Sequence, residues 1–513
     1  MGMLKLQTAL SSSIARRRFL LRPSEPDWQD LLGTPGNSIY FGRTSILNVP
    51  VYWDLPRLAN PHIAVVGMTG SGKSFFIKTF ITRASMLWGS DALILDWSGE
   101  YSPWVRSAGG RIIDFGEGTA LNILDCRAAK GAPHPQAATP GAHIERLLGA
   151  ISVACSISNS PQAQMQIKNA LKKSYEKFKL PLNRPVSRHA RRIPTLADAY
   201  SALKNARQPA CDSALLALEK LCSPNSPFTS RSGGMSPESL FGNGLASINL
   251  STLPCDEHRS LAALIILQFV KEKMRRSPTA PLPFPRLIIV ADEAWKIAQD
   301  ENSDLVQILR EARKYSFCLI TASQNPTDIS KTILSNCATL LAFRLLHHEY
   351  RQSLQESLNL HRDVSSKMER FEVGQALCRL ALKRPGAYDG PFIISKIEGE
   401  EPQVQFLLEA GNLKLNMQKS EFTKKLWRSG LANPQISQLC SQFEQSGNSL
   451  PAHRLASSLL AFGLSRASVL SLLRDLRVPD SALPSIFSRI EAARLQAPLS
   501  SMASLVIRDE PKN

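Results

Sequence analysis

The chain has 513 residues, of which 43% are hydrophobic and 20% charged. That length and balance exclude a small disulfide scaffold and wholesale disorder, and they fit roughly three domains. Lys and Arg total 61 against 43 Asp and Glu, a formal net charge of +18, which suits an anionic partner such as nucleic acid or an anionic membrane face, although solvated lysines alone can give such an excess.

The nine cysteines include no C-x-x-C pair, so neither a metal clip nor a disulfide framework is expected and the usage fits a reducing cytosol. The longest apolar run, around Leu261 to Val270, is broken by Gln268 and falls short of the roughly 18 residues a membrane span needs. Arg16, Arg17, Arg18 and Arg22 are followed by no apolar segment, so no secretory signal is expected.

Taken in chain order, residues 1–60 read as a basic lead-in with short strands at Ser38–Phe41 and Val49–Trp53. Ile63–Val66 is a short apolar strand, followed by a Gly-rich turn, a helix over Lys73–Leu87 and a second strand, Ala92–Leu95, ending at Asp96. Strand, helix and strand in that order make a βαβ unit. Arg127–Ala142, rich in Ala, Pro and Gly, reads as a linker. Residues 143–222 carry helical patterns, at Gln162–Phe178 and Leu196–Leu221, with a basic stretch Arg184–Arg192 between them. The α/β rhythm resumes with a strand at Leu245–Asn249, a helix at Asp256–Arg275, a strand at Leu287–Val290, a helix at Ser303–Lys314 and a strand at Phe317–Ala322. A strand at Thr339–Phe343 and a hairpin of Ala376–Leu382 with Phe392–Ile397 close the pattern. Beyond Leu413 the chain reads as basic and helical; there Lys414, Lys419, Lys424, Lys425 and Arg428 surround Trp427, which suggests a solvated amphipathic helix with a buried Trp, or a nucleic-acid contact.

Gly67-Met68-Thr69-Gly70-Ser71-Gly72-Lys73-Ser74 fits G-x-x-x-x-G-K-[ST] and stands between a strand and a helix, the context that gives the motif its meaning. Glycines let backbone N–H groups turn inward as an anion nest, and the helix N-terminus adds partial positive charge. Lys73 can reach the β- and γ-phosphates, and the Ser74 hydroxyl can ligate Mg²⁺. The strand Leu287–Val290 runs into Asp292-Glu293. An Asp there can help hold the metal and the adjacent Glu can polarise an attacking water, the layout of a hydrolysing P-loop ATPase, whereas an isolated acidic pair at a strand end is merely solvated. Gln324, at the end of the next strand, can sense the γ-phosphate or simply cap a loop. Arg310 and Arg313, three apart on a helix, share a face; spacing alone favours a solvated face over an arginine finger.

These pieces together resemble the HerA/FtsK superfamily of ring-forming motors, and are similar to HerA helicases and to the ATPases of conjugative type IV secretion. The resemblance spans about residues 40–400 and is carried by Val49-Pro50-Val51-Tyr52-Trp53-Asp54-Leu55, the phosphate loop, Leu95-Asp96-Trp97-Ser98-Gly99-Glu100-Tyr101, Asp292-Glu293-Ala294-Trp295, and Arg310-Glu311-Ala312-Arg313-Lys314 leading to Ser323-Gln324-Asn325-Pro326. Asn325 stands where the family has Arg, and Ala312 where it has Gly. The resemblance implies a RecA-like α/β core with a mostly parallel sheet. That core would be split into 61–142 and 241–412 by an α-helical insertion at 143–240, and followed by a small helical region at 413–513. It implies ATP and Mg²⁺, phosphate binding by Gly67, Thr69, Gly70, Ser71, Gly72, Lys73 and Ser74, metal binding by Ser74 and Asp292, and Glu293 as base. Gln324 would be the sensor, Arg313 the arginine acting on a neighbour with Arg310 as second candidate, and Asp96 and Glu100 would lie near the nucleotide or at the ring's inner surface. The implied partners are further copies in a hexamer and double-stranded DNA read without sequence preference, with a nuclease or a membrane-embedded secretion channel alongside. The implied place is the cytoplasm or the inner face of the membrane. A secretion or pilus-assembly ATPase moving protein subunits is the competing expectation, and a non-hydrolysing P-loop scaffold a third.

Overall fold

The computed structural model of the chain describes residues 26–487 apart from short stretches, the longest being 127–138, 230–239, 294–303 and 399–413. Ala294 and Trp295, which carried part of the resemblance, therefore lie outside the described residues.

Eleven strands form one sheet in the order β2-β1-β11-β10-β9-β3-β8-β7-β4-β6-β5. They are β1 (Ser38–Thr44), β2 (Pro50–Asp54), β3 (Ile63–Val66), β4 (Asp91–Asp96), β5 (Arg111–Asp114), β6 (Leu245–Asn249), β7 (Leu287–Ala291), β8 (Phe317–Ser323), β9 (Thr339–Ala342), β10 (Ala376–Leu380) and β11 (Phe392–Ile397). From β9 across to β5 neighbouring strands run parallel. β10, β11, β1 and β2 continue the sheet antiparallel at the β9 side.

The parallel strands are covered on both faces, which is why β3 and β7 read as unbroken apolar runs and why these two and β8 are buried at every residue. Alternation distributes their side chains between two cores. Ala64, Leu95, Ile289 and Leu319 face one core, and Ile63, Ile94, Ile288 and Ile320 face the other. The helix Lys73–Trp88 covers the second face through Phe76, Ile77, Phe80 and Ala84. The helices Pro140–Ala154, Pro161–Lys177, Leu196–Lys204 and Asp212–Leu221 pack with the helix Asp256–Arg276 on the first face. The N-terminal strands are bound into this sheet: Trp53 packs edge-on against Phe80 and donates its indole N–H to Thr339 Oγ1 at 3.0 Å.

Several elements differ from expectation. The stretch expected to be a linker up to Ala142 already turns helical at Pro140, where Thr139 caps the first turn. Leu196–Leu221 is two helices, ended after Lys204 and restarted at Asp212. Arg310 closes the helix Asp304–Glu311, whereas Arg313 belongs to a separate 3₁₀ turn, Ala312–Tyr315, so the two do not share one α-helical face. The strand β5 and the helix His348–Leu358 had no sequence signal strong enough to place them.

The C-terminal part has its own small core. β12 (Lys414–Asn416) pairs with β13 (Ser449–Pro451), beside the helices Lys419–Arg428, Asn433–Gln445, Ala452–Ala461 and Arg466–Asp475. Phe422 and Leu426, one turn apart, form the buried stripe of the first helix. Trp427 is five positions from Phe422 and falls off that stripe, so it is 56% exposed rather than buried.

Candidate active site

β4, β7, β8 and β3 are neighbours and end nearly abreast: Leu95 pairs with Ala291, Ala291 with Thr321, and Val66 with Ser323. The residues just beyond their C-termini therefore gather at one edge of the sheet, where open α/β sheets bind ligands. Those residues are Asp96, Asp292 with Glu293, Gln324, and the loop beginning at Gly67.

The loop can close only with glycine at its two ends. Gly67 and Gly72 have φ of +154° and +116°. A Cβ on Gly67 would lie 2.7 Å from Phe343 Cβ, and one on Gly72 would lie 3.2 Å from Gly374 Cα. Thr69 and Gly70 are exposed at the tip, while the buried Ser71 ties the loop together by donating to the Met68 carbonyl at 2.6 Å. Lys73 folds back inside, its Nζ donating to the carbonyls of Gly67 at 2.6 Å and Met68 at 3.1 Å. Burial holds the Lys73 ammonium below its ordinary pKa, opposed by the charges of Asp292, Glu293 and Glu100.

Asp292 is 8% exposed. Burial, and then the charge of Glu293, push its carboxyl up to about 7, with Lys73 opposing. Glu293 adopts φ +52°, a left-handed conformation that costs a non-glycine residue about 1 kcal/mol and is found where function demands a particular direction. From there its Oε1 accepts Gln324 Nε2 at 2.6 Å, and Gln324 Oε1 in turn accepts Thr69 Oγ1 at 2.9 Å. The amide can sit only this way round, since a carboxylate has no proton to give. A continuous chain of side-chain hydrogen bonds thus links Glu293, through Gln324, to the tip of the loop.

The turn after β4 is built around a carboxylate. The Asp96 carboxylate accepts the N–H groups of Gly99 (2.9 Å), Tyr101 (3.0 Å) and Ser102 (3.2 Å) and the Ser102 hydroxyl (3.3 Å). Asp96 is wholly buried, and all four of these bonds go to the turn itself. What it presents is Glu100, exposed and 4.0 Å from Lys78, and the buried ring of Tyr101, whose phenol faces Ser74, Asp292 and Glu100.

Arg310 and Arg313 sit at the far end of β8, ahead of Phe317, whereas Gln324 follows its last residue. Seven residues of strand separate the two edges by roughly 20 Å, so neither arginine reaches the phosphate loop of its own chain. Both are exposed, and neither side chain makes a hydrogen bond or ion pair among the described residues.

The family model for the central domain of the helicase HerA matches residues 39–133. The chain is 20% identical over 70% of its length to the DNA double-strand break repair helicase HerA of Saccharolobus solfataricus, covering 69% of that protein. It is 21% identical over 60% of its length to the DNA import protein CedB of Sulfolobus acidocaldarius, covering 47% of it. Its fold matches VirB4 of Thermoanaerobacter pseudethanolicus with a TM-score of 0.58 over 72% of this chain and 98% of that one, at 19% identity. The core resembles that of HerA-type P-loop ATPases.

In this core the donors suit a nucleotide with Mg²⁺. Gly67 and Gly72 let the loop pack against Phe343 and Gly374, its tip at Gly70 is open, and Ser74 and Asp292 carry the hard oxygen atoms such a cation takes. Among the described residues no group of three His, Cys, Asp or Glu is placed to hold a metal by itself, which fits a cation held by a hydroxyl, one carboxylate and the substrate's own phosphates. Reading the sequence missed the residues that brace the loop from the side of β9 and β10: Gly374 N donates to Ser71 O at 3.0 Å, and the Arg344 carbonyl accepts Met68 N at 2.9 Å while its Nε lies 3.3 Å from Met68 Sδ. The only local signal was an isolated glycine, Gly374, ahead of β10; it has φ +86°.

Proposed function

We propose that this chain is a ring-forming, ATP-hydrolysing motor that moves double-stranded DNA without reading its sequence. The observation that carries the reading is the Glu293–Gln324–Thr69 chain of hydrogen bonds above a complete phosphate loop. Lys73 and the loop amides hold the β- and γ-phosphates; Glu293, kept oriented by Gln324, takes the proton of the attacking water; and Gln324 reports the γ-phosphate through Thr69. Ser74 and Asp292 would hold Mg²⁺, which would supply neutralisation of phosphate charge. Arg313, displaced to the opposite edge, serves the site of an adjoining copy, which requires a ring. The excess of 61 basic over 43 acidic side chains suits backbone tracking on DNA, and the names of the HerA and CedB relatives point the same way. In this reading 61–142 and 241–412 form the motor, 143–240 is an insertion and 413–513 an accessory region.

The fold shared with VirB4 leaves a second reading: the same site energising movement of protein subunits at a membrane channel. No helix among the described residues is long and apolar enough to cross a membrane, so the chain would dock there by contact. Steady-state ATP hydrolysis with and without long double-stranded DNA, at moderate salt, separates the two. Several-fold stimulation by DNA, abolished in Glu293→Gln, is the expected result; turnover indifferent to DNA but lost in Glu293→Gln moves the assignment to the secretion ATPase.

A further inference from the structure

The edge of the sheet remote from the phosphate loop carries two exposed cations, Arg313 and Lys383, with no ion-pair partner among the described residues. His62 precedes β3 and is wedged between the neighbouring strands: its carbonyl accepts Thr339 N at 3.2 Å, and its Nδ1 accepts Leu319 N at 3.2 Å. Arg313 lies on the β8 side of this plug. Lys383 lies on the β9 side, fixed by Ala381 N to Ala338 O at 2.7 Å and by Lys383 N to Arg57 O at 2.8 Å. Both side chains are exposed. They are close enough that Arg313 helps hold the Lys383 ammonium below its ordinary pKa, after burial and against the pull of Asp54.

The surrounding charges are disposed of differently. Asp30 pairs with Arg384 at 2.7 Å and with Arg57 at 4.0 Å. Asp54 is 3% exposed and lies beneath the surface. Lys383 Nζ makes one hydrogen bond, to Pro56 O at 2.9 Å, and an ammonium has three protons to give. Among the described residues no exposed acid stands between these two cations, which leaves this edge suited to an anion. Their own phosphate loop lies at the other end of the strands, so the anion has to come from another molecule.

We propose that Lys383 acts with Arg313 as a second cation in trans, the pair completing the nucleotide site of an adjoining copy by contacting its terminal phosphates. This rests on the ring-motor reading above. A triphosphate in the loop faces Lys73 on one side but also the carboxylates of Asp292 and Glu293. Positive charge from a neighbour offsets that imbalance where negative charge develops in the transition state.

The test compares ATP turnover, without and with DNA, in the wild type, Lys383→Gln, Lys383→Arg, Glu293→Gln, and rings formed by co-expressing Lys383→Gln with Glu293→Gln. Glutamine removes the charge and keeps an N–H donor, and a thermal midpoint checks that the fold survives. Lys383→Gln is expected to lose at least about tenfold in kcat and Lys383→Arg to recover most of it. The mixed rings should regain turnover above that of either variant alone, because some interfaces then join an intact Glu293 to an intact Lys383. Unchanged kcat in Lys383→Gln overturns the proposal. So does a loss that mixing does not rescue, which places Lys383 in its own chain's machinery. Loss of DNA stimulation alone, with DNA-free turnover intact, also overturns it, since Lys383 then binds nucleic-acid phosphate. A wild type without turnover defeats the motor reading itself.

Discussion

Gln324 is exposed, yet it is held from both sides, by the Glu293 carboxylate and the Thr69 hydroxyl. A side chain fixed in that way costs nothing to reorganise when water and phosphate are in place. Gln324→Ala should lower kcat by about a hundredfold with little change in nucleotide affinity, read by steady-state kinetics alongside equilibrium binding. Asp96 invites the opposite expectation. Its carboxylate is the acceptor for three backbone N–H groups, and removing it leaves buried donors unpaired. Asp96→Ala should cost about 2–4 kcal/mol of stability, seen as a lower thermal midpoint. A variant that kept its midpoint but lost turnover would return Asp96 to the nucleotide.

At the scale of elements, chain stops were the hardest feature to read because several use no glycine. The helix Pro161–Lys177 ends with Lys179 at φ +56°, Lys179 N bonded to Glu176 O at 2.9 Å and Leu180 N to Tyr175 O at 3.1 Å. This is the double bond of a Schellman stop, normally built on glycine. Lys179 is exposed, so Lys179→Gly should stabilise the protein by up to about 1 kcal/mol by relieving the left-handed strain; a lower thermal midpoint would show that the Lys179 stem packs more usefully than its backbone suffers. The 3₁₀ turn Ala312–Tyr315 is a similar case. Pattern alone ran the preceding helix on to Lys314, but the chain tightens to enter β8 through Ser316 at φ +59°, and that tightening separates Arg313 from Arg310.

Across the whole molecule the sheet has the phosphate-loop edge at one end of its strands and, at the other, a buried histidine, His62. Burial pushes His62 down to about 3, with Arg313 adding to the effect and a backbone contact opposing it. Its Nδ1 accepts the Leu319 N–H, so protonation there would set two donors against each other. In the unfolded chain histidine titrates near 6.5, so the unfolded state binds more protons in the window between about 3 and 6.5. The stabilisation from neutral His62 is complete above pH 6.5 and declines by about 1.4 kcal/mol per unit as pH falls below it. The thermal midpoint should therefore drop more steeply between pH 6.5 and 4.5 in the wild type than in His62→Gln; parallel profiles would show that His62 does not carry the acid sensitivity.

Chemistry that depends on neighbours in the chain was legible from residue order. The phosphate loop, the Asp-Glu pair at the end of an apolar strand and the Gln at the end of the next are local patterns, and local sterics with strand alternation are enough to place them on turns and strand ends. The βαβ rhythm gave the α/β class for the same reason. Strand order was not local. Only tertiary pairing sets β8 between β3 and β7, and so brings Gln324 within reach of both Glu293 and Thr69. Only the parallel pairing of β9 with β3 brings Arg344, and only the antiparallel strands beyond it bring Gly374, against the loop from about three hundred positions away, and no spacing in the sequence could announce contacts whose partners are chosen by the packing of a whole sheet. The same pairing decides that Asp96 spends its charge on its own turn and that Arg313 and Lys383 share the far edge, because burial and opposition across strands exist only once the strands are assembled.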